Sequence, residues 1–347
     1  MLKSSSSPPI TRRVNPPINI GMLLLPAFNG LAAQSFIDPF RAANYLRGAT
    51  IYQWQFLSLD GQGVTASNGF MVGNTVGFSE TQTRFDFLVV NSSWTPEKYQ
   101  DRQLQTWLRI LAHQDTTLVG IDTGAFVLAF AGLMEGYRAV VHYEHIDAFG
   151  ELFSNTHVDQ VLFVVDRDRL TCCGGLAAVD LALEIIRIQQ GIDLANAAAR
   201  YIFQERLRPG EKSQLSRNYE PIGYTVPELL RDAIILMERN LEKPLRLSEI
   251  AHDVGISQRQ LERLFEKFTG LTPVRYYINV RLYRARALLT QTELSIVEIA
   301  SACGFNNTEH FTRSYKNYFK IVPSLDRIEG RIPFQFRSFP GYFVFKV

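Results

Sequence analysis

The stretch VGIDTGAFVLAF, residues 119–130, joins an apolar strand-like run to a helix-like run through a turn carrying one acid, Asp122. Gly120 and Gly124 stand two residues to either side of it. Small residues at those places let a strand turn abruptly into a helix and hold one side chain in a strained conformation. In many α/β enzymes that side chain is a Ser or Cys nucleophile. An Asp there is poorly suited to acyl chemistry, although carboxylates do attack sugars and phosphates. Asp is also among the best helix N-caps, and Thr123 and Gly124 offer backbone N–H groups at a helix N-terminus, which favour negative charge. Capping and ligand contact both stand open for Asp122, and they are compatible.

Working outward, INIGMLLLP (18–26), WQFLSLDG (54–61), FDFLVVN (85–91) and TTLVGI (116–121) read as apolar strands. Helical spacing of Phe36, Ile37, Phe40 and Ala43 predicts a helix over residues 31–46, and further helices are expected over 96–112 and 123–131. The sequence from Val158 then reads as a hairpin turning at DRDR, after which Gly174 and Gly175 open a long helix. Near-continuous apolar strands alternating with amphipathic helices predict an α/β fold, a parallel sheet covered on both faces. Ligands of such sheets bind beyond the carboxyl ends of the strands, here marked by Asp60, Asn91 and Asp122.

Three segments, VGIDTGAFVLAFAGLMEGYRAVVHYEH (119–145), IDPFRAANYL (37–46) and TCCGGLAAVDLALEII (171–186), carry a family likeness. Over residues 18–200 the chain resembles the class I glutamine amidotransferase-like domain, PfpI type, at the front of GlxA-type AraC regulators. The resemblance implies a flavodoxin-like sensor domain. It also places Asp122 where enzymatic members carry Cys, Asp38 where they carry Glu, and His142 and His145 after the elbow helix. Loss of the thiol removes the thiolate chemistry of the family's hydrolases. Two carboxylates at neighbouring corners repel unless one binds a proton or a cation lies between them. The DTG elbow resembles that of regulators responding to arginine, glycine betaine or carnitine, so the resemblance implies a small cationic or zwitterionic effector. Its expected contacts are Asp38, Asp122, Thr123 and His142. Phe28, Phe126 and Tyr143 are candidate walls for a quaternary ammonium, although an aromatic beside an apolar strand is more often core. For the two histidines a structural or surface role is the commoner one, and no third ligand supports a metal.

A length of 347 residues suggests two domains, at roughly 100–200 residues each. Hydrophobic residues at 46% and charged residues at 20% fit a soluble globular protein, and a net charge of +2 is too small to argue nucleic-acid binding by itself. Split by region the charge says more: 18 Lys+Arg face 21 Asp+Glu in residues 1–225, against 15 and 12 in residues 226–327. No apolar run reaches the roughly 18–20 residues of a membrane span, and residues 1–17 read as a disordered polar leader without a signal-peptide core. Three cysteines without zinc-site spacing, Cys172 and Cys173 adjacent, make a reducing cytoplasm the expected compartment. No cofactor is expected.

The segment QERLRPGEKSQLSRNYEPIGY (204–224) has linker composition, and a linker is expected over 201–225. Beyond it the pattern is helical, with Pro227 suited to the first turn of a helix over 226–240. In LRLSEIAHDVGISQRQLERLFEKFTGLTP (245–273) a short helix starting near Ser248, a turn at Gly255 and a helix capped by Ser257 give a helix-turn-helix. LSIVEIASACGFNNTEHFTRSYKNYF (294–319) repeats it, with Gly304 standing 49 residues after Gly255. Two motifs at this spacing resemble the AraC/XylS-type DNA-binding domain over residues 226–327. That family sets its two recognition helices in successive major-groove segments, about 34 Å apart. Candidate DNA contacts are Gln258, Arg259, Glu262 and Arg263 from the first helix, and Asn307, Thr308, Glu309, Thr312 and Arg313 from the second. Arg pairs with guanine and Gln with adenine, while Lys316 and Lys320 suit phosphates. Leu261, Phe265, Phe311 and Tyr315 are expected core. PSLDR (323–327) carries Asp326 where the family has an aromatic, and the aromatic-rich tail 328–347 matches nothing expected: a divergent end, a dimer contact and a shifted reading frame all remain open.

The expectation is therefore a sequence-specific transcriptional regulator, an activator by family likeness. Its expected partners are double-stranded promoter DNA, a small-molecule effector, a second copy of itself and RNA polymerase. The alternative is a DNA-tethered amidase or hydrolase, against which Asp122 counts.

Overall fold

The computed structural model describes residues 16–205, 207–214 and 227–330. The chain divides into two compact units, residues 1–216 and 217–347, and each is described by itself. The first contains strands β1 (Ile18–Leu24), β2 (Tyr52–Ser58), β3 (Val76–Gly77), β4 (Phe87–Ser92), β5 (Thr117–Asp122), β6 (Phe163–Asp166) and β7 (Arg169–Cys172). They form one sheet in the order β6-β7-β5-β4-β1-β2-β3. All neighbours run parallel except the β6–β7 hairpin. Its helices are α1 (Gly30–Arg47), α2 (Arg102–His113), α3 (Gly124–Phe130), α4 (Ile146–Leu152), α5 (Ala177–Gln190) and α6 (Ile192–Tyr201).

Side chains alternate along a strand, and both faces are buried here. Met22, Val89, Val119 and Ile121 pack under α1, α5 and α6, while Leu23, Leu88, Val90 and Leu118 pack under α2, α3 and α4. That double burial is why the strands read as continuous apolar runs. The expected helix over 96–112 is interrupted: a single turn, Pro96–Tyr99, precedes α2, whose true start is fixed by Asp101 accepting from the Leu104 N–H at 2.9 Å.

Residues 207–214, read from composition as linker, return to the sheet unit instead. Leu162 N–H donates to the Gly210 and Lys212 carbonyls at 3.1 and 2.9 Å. Gln214 Nε2 donates to the Val141 carbonyl at 2.9 Å, and Arg208 closes on buried Asp180 with Nη2–Oδ2 at 2.6 Å. Leu207 packs on the core at the start of the segment, and the polar remainder docks through backbone amides and one ion pair.

The second unit holds α7 (Glu228–Arg239), α8 (Leu247–Asp253), α9 (Gln258–Thr269), α10 (Pro273–Gln291), α11 (Ile296–Ala302), α12 (Thr308–Phe319) and α13 (Pro323–Gly330). It has two small cores. Leu230, Met237, Ile250, Leu261, Phe265 and Tyr276 make the first, and Leu282, Leu288, Ile299, Phe311 and Tyr315 the second. The N-terminal half of α10 serves the first core and its C-terminal half the second, so this one helix of about 28 Å is the shared beam. Helix α8 begins a residue before the Ser248 start read from sequence, at Leu247, with Glu249 Oε2 accepting from Arg246 N–H at 2.6 Å. The tail beyond residue 330 lies outside the described residues, as do residues 1–15 of the leader.

Candidate functional site

Four neighbouring strands end side by side, and their carboxyl ends build one corner. From β1 comes Asn29, from β4 Asn91 to Ser93, from β5 Asp122, and after β7 Gly174. Register places Ser92 beside Asp122. Strand order also reverses next to β1, the kind of switch point at which such sheets leave a crevice.

Asp122 is 4% exposed and has φ of 61°, a left-handed backbone that a non-glycine residue adopts only under strain. Its surroundings enforce it. A Cβ on Gly124 would collide with the Val90 carbonyl oxygen, so α3 can follow β5 this closely only with glycine there. A Cβ added to Gly174, whose φ is 87°, would come within 2.9 Å of the Asp122 Cβ.

Asn29 Nδ2 donates to Asp122 Oδ2 at 2.8 Å, and the Ser93 side chain and the Thr123 backbone, whose N–H donates to the Ser92 carbonyl at 3.2 Å, lie beside the carboxyl and favour its charged form. Burial nonetheless dominates them and pushes the carboxyl up to about 7. Asn29 is itself fixed. Its Oδ1 caps α1 by accepting from Ala32 N–H at 3.0 Å, its N–H donates to Asn91 Oδ1 at 3.3 Å, and Asn91 Nδ2 donates back to its carbonyl at 3.1 Å. Cys172 and Cys173 border the corner, and burial raises both thiols, Cys173 to about 12. That is the reverse of an activated thiolate.

The expected pair of Asp38 and Asp122 does not form. Asp38 sits nine residues beyond Asn29 on α1, about 13 Å along the axis, half-exposed and paired with Arg41 at 2.6 Å. The side chain that α1 contributes is its N-cap, Asn29, which the sequence reading missed. Thr123 is at the corner, but its hydroxyl is committed to the Ser93 carbonyl at 2.8 Å, so it braces the loop. His142 lies outside the hydrogen-bonded set around Asp122. It accepts from Glu144 N–H at 3.4 Å, and burial lowers its pKa while the Glu144 carboxylate opposes that. Of the candidate aromatic walls, Phe28 and Phe126 take the commoner core role, in cores on opposite faces of the sheet, and Tyr143 is exposed beside His142, ring centroids 4.3 Å apart and tilted.

In the helical unit, α9 and α12 present the expected polar faces. Gln258, Arg259, Arg263, Glu309, Arg313 and Lys316 are exposed, with Glu262, Thr308 and Thr312 half-buried. Thr308, Glu309, Thr312, Arg313 and Lys316 line one shallow groove along α12. Gln258 Nε2 donates to Glu262 Oε1 at 3.2 Å, which pre-sets that pair. Asn307 caps α12, its Oδ1 accepting from Glu309 and His310 N–H at 2.7 and 3.1 Å, so that oxygen is not available to a base edge. Asp326 is buried, 2.8 Å from Arg286 Nε and 2.6 Å from the Tyr315 hydroxyl that donates to it.

Residues 250–327 match the helix-turn-helix domain family. The transcriptional regulator GbdR of Pseudomonas aeruginosa is 39% identical over 311 residues, covering 90% of this chain and 84% of GbdR. GlxA of Rhizobium meliloti, also a transcriptional regulator, is 34% identical over 312 residues, covering 90% of this chain and 96% of GlxA. The chain belongs to the GlxA-type AraC family. An AraC family transcriptional regulator from Pseudomonas putida superposes with a TM-score of 0.50 at 29% identity, over 54% of this chain and 100% of that one. A ThiJ/PfpI family protein from Pseudomonas syringae gives 0.50 at 17% identity over 71% and 90%, a likeness of fold alone. The Asp122 corner thus belongs to an AraC-family, DNA-binding transcriptional regulator. Among the described residues no helix is long and apolar enough to cross a membrane.

Proposed function

We propose that the Asp122 corner binds a small cationic or zwitterionic metabolite, of the class of arginine, glycine betaine or carnitine, and that this occupancy controls promoter binding by α9 and α12. The observation that carries the reading is the company Asp122 keeps: a buried carboxyl bonded to neutral Asn29 and bordered by Ser93 and Thr123, with no lysine or arginine among them. A buried carboxylate without a counter-charge is costly, so a cationic group arriving there gains more than at an exposed acid.

Arg259 and Arg263 on α9, and Arg313 on α12, then read base edges, Gln258 supports them, and Lys316 anchors to phosphate. Two copies of the chain engage neighbouring half-sites, and the effector acts by population shift, favouring the arrangement that binds DNA and supports activation. A thermal-shift screen of arginine, betaine, carnitine and related amines tests the corner. A ligand at 100 times its Kd adds about 2.7 kcal/mol when it binds only the folded protein. The shift is expected for at least one cationic compound and is lost in Asp122→Ala. Shifts produced only by neutral or acidic metabolites would overturn the reading.

A further inference from the structure

The corner does more than accept a charge, because the carboxyl that receives it has no charge of its own to balance it beforehand. Asn29 donates to Oδ2 at 2.8 Å, which leaves most of the roughly four acceptor sites of a carboxylate open, and Ser93 and Thr123 beside it are neutral as well. The titratable groups on the packed elements do not change this. Those of α1 lie further along the helix than its cap Asn29, with Asp38 and Arg41 paired to each other at 2.6 Å and Arg47 in the last turn, and the end of β7 brings the Cys172 and Cys173 thiols, both kept neutral by burial. The ion pair of Arg208 with Asp180 acts on Cys173 and closes on itself at 2.6 Å. An empty corner therefore favours the protonated acid, and a corner filled by a cation favours the carboxylate.

We infer that effector binding exchanges one carboxyl proton of Asp122 for one cationic group, and that Asn29 is the positioning residue that sets the pH at which the exchange occurs. This deepens the reading above and rests on it. In the exchange the O–H bond of the acid breaks, the proton leaves to solvent, and the ammonium or guanidinium takes its place against the same oxygen. Asn29 acts by donating to Oδ2, which favours the charged form; a second carboxyl at that position would do the opposite.

The experiment is isothermal titration of the full chain with glycine betaine, carnitine and arginine, whose cationic groups keep their charge between pH 6 and pH 8. With a carboxyl at about 7, affinity should fall about tenfold from pH 8 to pH 6, and about half a proton should be released per site at pH 7, read from buffers of different ionisation heat. Asp122→Asn should abolish the pH dependence, and Asn29→Asp should move its midpoint to higher pH. A merely structural role for Asn29 would weaken binding at every pH and leave the midpoint in place. Binding without proton release in the wild type overturns the exchange while leaving the effector site standing. No heat from any of the three probes, with thermal shifts from neutral metabolites instead, overturns the site itself and the exchange with it.

Discussion

Asp122 combines a left-handed backbone with a buried acid, and the two have separate consequences. The backbone strain is met by Gly124 and Gly174, while the burial makes the carboxyl's protonation part of folding. Its folded value of about 7 lies above the 3.8 of a free aspartate, so between those values the folded chain holds a proton that the unfolded chain has released. The stability contributed by the neutral acid is complete below about pH 4 and is lost as pH rises through about 7. Urea unfolding at pH 5 and pH 8 should show the wild type losing stability relative to Asp122→Asn across that window. A difference between the two proteins that stays flat with pH would refute this account. The elbow is legible in sequence because glycines on both sides of Asp122 are a local signal. Asn29 is half legible: Asn before Gly at the start of an apolar helix is a cap signal, but its partner Asp122 lies 93 residues away. Asp38 misleads because a carboxylate on a helix carries no mark of which direction it faces.

Helices α9 and α12 are two versions of one element, and fifty positions apart they solve one packing problem differently. In the first, Phe265 packs on Tyr276 with ring centroids 5.1 Å apart. In the second, the equivalent pair is Tyr315 and Asp326, joined by a hydrogen bond and completed by Arg286. The unexpected acid in PSLDR is therefore a core group with a built partner, invisible locally because Arg286 lies 40 residues away. Asp326→Ala should cost about 3 kcal/mol or more, as removal of one member of a buried pair does, measured by thermal or chemical unfolding. Base-reading substitutions should behave in the opposite way. Arg259→Ala and Arg313→Ala are expected to leave stability within about 0.5 kcal/mol and to weaken binding of the cognate site by about 1–3 kcal/mol each, checked by fluorescence anisotropy on sites varied one base at a time. Equal loss on all sequences would reassign those arginines to phosphate.

At the scale of the molecule, the repeat in residues 245–273 and 294–319 and the alternation of strands and helices before residue 200 announce two units of different class. Their frontier is less legible. Composition marks 201–225 as linker, yet Arg208, Gly210 and Lys212 belong to the sheet unit through an ion pair and backbone bonds that leave no apolar pattern. A fragment ending at residue 216 should fold more stably than one ending at residue 200 by about 3–5 kcal/mol, since the shorter one strands Asp180 without its arginine. Equal midpoints in urea would show that the returning segment contributes nothing.

That returning segment also fixes where the chain departs. Gly174 touches Asp122, α5 begins three residues later, and from within α5 Asp180 grips Arg208, six residues before Gln214 anchors to the Val141 carbonyl. The effector proposed for Asp122 would therefore sit beside the turn that leads into the helix gripping Arg208, like a hand near the short arm of a lever whose pivot is α5. From the corner to residue 214 the contacts run through Gly174, α5 and Arg208.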